Sequence, residues 1–293
     1  MTIETKECNT AGEALEFLRG LALQPLHNFY FRGHQDETWR LHSTYSRHKL
    51  VPHAGWMTDL NEMIDHFIGS LLSARHTLPF EPSDRRGKLE YARHYGLPTP
   101  LLDWSFSPYV AMFFAFNGAR PDKTKRAVVY ALNVDGLADI VGRLRSRLPD
   151  GRTGPDYMTH RKMFFDPPEF KDEYPGKHLS FMESPASWNT RMIRQMGSFI
   201  YDTTEYANSG YKDLDDFVER NDETEGPNTL PTLYKVYVPL NAASEAFSLL
   251  DIAGMTGIRL LDDYEGAAAD AVNAYNYNRK SGYFWDLAQN STP

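Results

Sequence analysis

The chain has 293 residues, 41% hydrophobic and 24% charged, with a formal net charge of −8. It is therefore long enough to bury a sizeable core and too acidic to coat nucleic acid by bulk electrostatics. Its single cysteine, Cys8, excludes an internal disulfide and a multi-cysteine zinc site and points to a reducing, cytoplasmic setting. The opening residues carry no apolar signal core, and no apolar run reaches the roughly 18 residues of a membrane span, so no membrane partner is expected.

In chain order, Thr10 and Glu13 have the spacing of a capping box, with Leu15, Leu18 and Leu21 following at helical intervals. That predicts an amphipathic helix ending between Gly20 and Pro25. The aromatic run "HNFYFRG" predicts a strand. Met63, Ile64, Phe67, Leu71 and Leu72 keep a helical period from Thr58 to about His76. A further helix is expected from about Ser83 to Tyr95, with Gly96 just past its end and Pro98 beyond. "SPYVAMFFAFNGA" opens with Ser107 as a cap and Pro108 in the first helical position, and it is apolar nearly all round, which predicts a helix inside the core. Strands are expected over Arg126 to Val134 and Thr232 to Leu240. Residues of about 141 to 185 are polar, basic and rich in Pro and Gly, and predict an irregular insertion serving as a lid or binding arm. "RQMGSFIYD" predicts a turn entering a strand, and "NDETEGPN" an acidic spacer. Helices follow at Ala243 to Met255, capped by Gly257, and at Asp263 to Tyr275. Without a repeat or strict βαβ alternation, the expected class is α+β: a mixed or antiparallel central sheet, a buried core helix and surrounding helices, in one domain over residues 1–293.

Two segments hold the candidate chemistry. In "FYFRGH", Arg32 either snorkels from a strand end to a structural carboxylate, with Gly33 only making a turn, or grips a phosphate or carboxylate, with Gly33 letting the backbone approach the ligand. In "YARHYGLPTPLLDWSFSPYVAMFFAF", His94, Thr99, Asp103, Trp104 and Ser107 crowd between two helices, so their hydrogen bonds must be met internally or by a ligand. Asp103 is the evident counter-charge for Arg32, and its structural use as a pin is the favoured reading. His94 is a candidate general base, with an ordinary surface or core histidine as the alternative. Gln195, where a turn enters a strand, could read an amide or base edge, or simply pack. His42, His48 and His53 lack metal-binding helical spacing, so no metal site is expected; GxxxxGK[ST], GxGxxG and GxSxG are absent.

Taken together, Phe31-Arg32-Gly33, His94-Tyr95-Gly96-Leu97-Pro98-Thr99, Leu102-Asp103-Trp104 and Ser107-Pro108 resemble the FRG domain family, named for its (F/Y)RG motif. "RQMGSF" is similar to that family's glutamine-glycine-aromatic element, with Met196 replacing a more usual polar residue. "GIRLLDDYEGAAADAV" is similar to its closing helix start but lacks the Phe-Pro. The likeness spans about residues 20–280 and leaves out the insertion. It implies a fold-level grouping more than a reaction.

The first functional expectation is a nucleotide-directed enzyme of ADP-ribosyltransferase type. NAD is its candidate substrate and no other cofactor is assigned. Arg32, His94 and Gln195 would be its catalytic residues, and Tyr30, Phe31, Gly33, His34, Thr99, Asp103 and Trp104 would line the ligand. An aromatic-Arg-Gly on an early strand resembles the first motif of arginine-type ADP-ribosyltransferases, where it holds the dinucleotide phosphates. The required glutamate is not evident: Glu223-Thr224-Glu225 lies in the acidic spacer, leaving Glu183, Glu205 and Glu265 as candidates. The alternative is a non-catalytic module for a nucleotide, nucleic-acid end or protein partner, aided by a basic patch of Arg143, Arg145, Arg147, Arg152, Arg161 and Lys162. A third expectation is a nuclease or hydrolase using Asp103 and His94, a thin donor set for a metal.

Overall fold

The structure is a computed structural model and describes residues 3–48, 56–120, 122, 124–148, 152–165, 179–182, 187–202, 204, 210–221, 230–261 and 263–277. Its strands are β1 (Ile3–Glu7), β2 (Phe29–His34), β3 (Leu101–Ser105), β4 (Arg126–Asn133), β5 (Leu179–Met182), β6 (Gly197–Asp202) and β7 (Leu233–Pro239). Its helices in the first half are α1 (Ala11–Ala22), α2 (Thr44–Arg47), α3 (Trp56–Ser73), α4 (Arg85–His94) and α5 (Pro108–Phe116). Those of the second half are α6 (Val134–Arg145), α7 (Tyr157–Phe165), α8 (Thr190–Arg194), α9 (Leu214–Asn221), α10 (Ala243–Ile252), α11 (Gly257–Leu260) and α12 (Asp263–Asn276). The strands form one seven-stranded sheet in the order β1-β7-β4-β2-β3-β6-β5. β1 runs parallel to β7 and all other pairs are antiparallel. This is an α+β fold with a mixed sheet, as the sequence predicts.

Strand alternation sorts β2 between two cores. Phe29 and Phe31 join α1, α5 and α10 in one cluster, while Tyr30 joins α6 and α9 in a second on the opposite face. A third cluster packs α3 and α4 against Leu101, Phe199 and Tyr201. Because Phe31 pairs across to Ser105, two residues on from Asp103 and four from Leu101, the first and third clusters share a face. Ser107 caps α5 through the Val110 N–H, and the helix is buried on nearly every side, as expected of its all-round apolar pattern. Gly96 closes α4 at φ +85, with the Leu97 N–H returning to the Ala92 carbonyl at 2.9 Å.

Several boundaries differ from the sequence reading. The stretch expected to be irregular from 141 holds the end of α6, all of α7 and β5. α6 follows β4 without a turn, its cap being the strand's last residue, Asn133. "LLDWS" is a strand rather than part of a loop. Gly257 opens α11 instead of capping α10, whose end is followed by Gly254 at φ +70.

The sheet is split beside its centre. β2 pairs with β4 from Phe29 to His34, and β3 with β6 along its whole length, but β2 and β3 pair only at Phe31–Ser105. Beyond that point the two strands are no longer paired, and the gap opens alongside Arg32, Gly33 and His34, at the C-terminal end of β2.

Candidate functional site

Arg32 and His34 lie two residues apart on one strand, so they project to the same side. The Arg32 Nε–H donates to His34 Nε2 at 2.9 Å, and Nη1 donates to the backbone carbonyl of Asp103 at 2.5 Å. The guanidinium thus fills the gap between β2 and β3 and satisfies a carbonyl that the broken ladder leaves unpaired. Its Nη2 has no partner among the described residues. Burial pulls the Arg32 guanidinium down to about 10, with the Asp103 charge working the other way, so it stays charged at neutral pH.

Asp103 does not serve Arg32 first. Its carboxylate is taken by Arg93 of α4: Nε donates to Oδ1 at 3.2 Å, and Nη2 binds Oδ2. Arg32 Nη1 stands 3.7 Å from Oδ2. Burial pushes the Asp103 carboxyl upward, but the charge and hydrogen bonds of Arg93, backed by Arg32 and Arg191, outweigh it and hold the group below its ordinary value. The expected Arg32–Asp103 ion pair is present at 3.7 Å, but Asp103 is shared with Arg93, which makes the shorter contact and the hydrogen bonds, while Arg32 makes its own hydrogen bonds to neutral acceptors.

These groups line a cavity of about 440 Å³ at the split, walled by the first turn of α5 (Val110, Ala111), the end of α4, and α8. Of the residues singled out in the sequence, Phe31, Arg32, Gly33, His34, His94, Asp103, Trp104 and Gln195 all line it. Tyr30 and Thr99 do not. The Tyr30 ring packs edge-on to Phe106 and Phe181. Thr99 clasps Thr44 through reciprocal 3.1 Å bonds and fixes α2. Both are buried structural residues. Gly33 lines the cavity, but the space its missing Cβ leaves is filled by α5: a Cβ there would lie 1.9 Å from the Ala111 carbonyl oxygen. Its smallness serves helix packing, and the residue lies within β2 rather than at a turn.

His94 makes no hydrogen bond among the described residues and stacks edge-on with Tyr95. The Gln195 side-chain amide donates to the Leu260 carbonyl at 2.8 Å, tying α8 to α11, while Ser105 Oγ donates to the Gln195 carbonyl at 2.7 Å. The next residue, Met196, is left-handed at φ +47 with its side chain in solvent, a conformation that favours Asn or Gly. Met196→Asn is expected to raise stability by about 1 kcal/mol, read as an upward shift in the denaturation midpoint with an unchanged slope.

The sequence reading missed Arg93, Arg47, Arg191, Glu90 and the rim rings Trp39 and Phe114, all of which line the cavity. Arg93 sits beside His94 in the quoted motif, but nothing in the spacing shows that it reaches Asp103. Glu90 is buried and bound by Arg86 Nε at 3.0 Å and Asn189 Nδ2 at 3.4 Å. Arg191 is matched by Glu265 at 2.8 Å. That leaves three guanidiniums, Arg32, Arg47 and Arg93, around one carboxylate, Asp103. The Arg47 side chain, at the rim, makes no ion pair or hydrogen bond among the described residues; partial burial and then repulsion from Arg93 lower its pKa, with the Asp103 charge working the other way. The cavity mouth therefore has an unmatched positive charge.

Glu183, Glu205, Glu223 and Glu225 lie outside the described residues, as does His53. Glu265 is engaged with Arg191 and is not on the cavity wall. The suggested basic patch is not free charge throughout, since Arg161 is bound to Asp135 at 3.2 Å and Asp139 at 2.5 Å. Among the described residues no group of three or more His, Cys, Asp or Glu could hold a metal, and no helix is long and apolar enough to cross a membrane. A family model described as FRG domain matches residues 27–124, which take in β2, α4, β3 and α5 and stop short of Gln195. No curated protein and no solved structure matches the chain.

Proposed function

This chain contains an FRG domain, and from that premise we propose that the cavity between β2 and β3 binds a nucleotide-type ligand, its phosphates on Arg32 and Arg47 and its ring against Trp39 and Phe114. The observation that carries this reading is the imbalance of three guanidiniums around one carboxylate, with Arg32 Nη2 unpartnered. A guanidinium presents a donor fork suited to phosphate oxygens, and one fixed before the ligand arrives loses little entropy on binding. The rim aromatics suit a planar ring, whose stacking tolerates many bases.

Titration calorimetry with ADP, NAD and adenosine tests this. ADP and NAD are expected to bind, weakening with salt, and adenosine to bind far less well. Arg32→Met is expected to weaken ADP by about tenfold to a hundredfold, the worth of one charge-assisted hydrogen bond, with the thermal midpoint measured alongside to confirm folding. Absence of binding by ADP, NAD and pyrophosphate at millimolar concentration would overturn the reading.

A second reading, NAD-consuming transfer, draws support from Asp103, a carboxylate held ionised on the wall of a cationic cavity, where it could stabilise an oxocarbenium-like ribosyl centre. Its weakness is that Arg93 already occupies both carboxylate oxygens. Nicotinamide release from NAD decides it: no turnover by the wild type, with or without protein or nucleic-acid targets, leaves a binding module.

A further inference from the structure

We infer that His34 is a positioning residue: a neutral imidazole acceptor that fixes the Arg32 guanidinium in the cavity without cancelling its charge. The inference deepens the reading of the cavity as an anion site and rests on it for its functional consequence.

Arginines held inside proteins are usually oriented by carboxylates, which neutralise as they orient. Arg32 is oriented differently. Its two bonds go to uncharged acceptors, His34 Nε2 at 2.9 Å and the Asp103 carbonyl at 2.5 Å. Its one ion pair among the described residues, to Asp103 Oδ2 at 3.7 Å, is the longer arm of a carboxylate shared with Arg93, which takes the hydrogen bonds. To accept from Arg32, Nε2 must be bare, so the neutral ring carries its proton on Nδ1. That Nδ1 is buried with no hydrogen-bond partner among the described residues, so the tautomer follows from the Arg32 bond alone, while the surroundings keep the ring neutral. His34 is 6% exposed, its ring edge-on to Tyr130 at 5.3 Å and Trp39 at 6.0 Å. The leading charges acting on it are Arg32 and Arg47, opposed by the Trp39 backbone and the Asp215 carboxylate. Burial, then the Arg32 charge, push its pKa down to about 3. The alternation of β2 makes the arrangement possible: Arg32 and His34 share one side of the strand, while the intervening Gly33 meets α5 on the other.

Two kinds of measurement test this on the full chain. Long-range ¹H–¹⁵N correlation is expected to show one histidine, lost in His34→Gln, as the neutral Nδ1–H tautomer at both pH 7 and pH 5. An Nε2–H tautomer, or titration near the ordinary histidine value, would overturn the inference. The second measurement is ADP affinity in three variants. His34→Gln keeps a neutral acceptor and is expected to retain most of the affinity. His34→Leu, similar in size but unable to accept, is expected to lose about tenfold. His34→Glu restores an acceptor but neutralises Arg32, and is expected to lose more than His34→Leu and to flatten the salt dependence. Equal ADP affinity in the Gln and Leu variants would overturn the role even if the Glu variant failed to fold. If the wild type shows the Nδ1–H tautomer yet takes no ADP, NAD or pyrophosphate, the cavity's anion-binding role falls while the orientation of Arg32 by His34 stands.

Discussion

Gly33→Ala is expected to destabilise the protein by about 3 kcal/mol or more, at or above the upper end for overpacked sites, lowering the thermal midpoint by roughly 6–12 °C. The added methyl would meet the α5 backbone, 1.9 Å from the Ala111 carbonyl oxygen and 2.6 Å from the Ala115 nitrogen. A flexible side chain could swing away from such a contact, but a helix backbone moves only as a unit. α5 cannot move cheaply, since Val110, Met112, Phe113, Ala115 and Phe116 are buried around it. The backbone at Gly33 is not left-handed, so the effect comes from space alone. A helix pushed outward would carry Val110, Ala111 and Phe114 with it and reshape the cavity wall. Thermal or denaturant unfolding of Gly33→Ala is the measurement. A variant with wild-type stability but weakened ADP binding would mean that the glycine serves ligand approach after all.

The motif around Gly33 shows what sequence pattern can and cannot tell. His27 to Gly33 reads as a strand from its aromatic run, and alternation then assigns Phe31 to one face and Arg32 to the other without any coordinates. That a helix backbone rests on the glycine is invisible, because it depends on α5, which begins 75 residues later. β3 escaped because Leu101 and Leu102 are both buried, one on each face, which erases the period of two, and because Pro98 and Pro100 suggest a loop. α6 escaped for a different reason: a buried strand runs directly into it through Asn133, with no turn residues to mark the change of period. Arg93 lay within the most specific stretch of the sequence, yet its pairing with Asp103 requires α4 and β3 to fold back on each other. The cavity residues legible in advance are those on β2 and β3 and at the ends of α4 and α8. The unpaired Arg47 at the rim had no signal beyond its charge. Its role depends on what lies opposite, and a single sequence does not encode that locally.

Asp103→Asn carries the second large effect, and its size changes with the surrounding solution. At neutral pH the variant is expected to lose about 2 kcal/mol. Breaking a fully buried pair costs about 3–5 kcal/mol, and that figure is reduced here because the Arg93 and Asp103 side chains are 24% and 30% exposed. Asn keeps one acceptor oxygen for Arg93 but turns an NH₂ toward a guanidinium, and leaves Arg32, Arg47 and Arg93 with no carboxylate between them. The carboxyl of Asp103 titrates lower in the folded chain than in the unfolded one. Its stabilisation is therefore complete above the unfolded value near 4 and is lost as pH falls below it. The gap between wild type and Asp103→Asn should be widest at pH 7 and narrow below about pH 4. An added anion should act in the opposite sense. With its internal carboxylate gone, the arginine cluster should take phosphate or ADP more tightly than the wild type does, so that millimolar phosphate raises the midpoint of Asp103→Asn more than that of the wild type. Thermal unfolding across pH, with and without phosphate, reads both effects. Equal stability of the two proteins at pH 7 would show that the Arg93–Asp103 pair holds nothing in place. A deficit that phosphate leaves untouched would show that these arginines are an internal brace and that the cavity takes its ligand elsewhere.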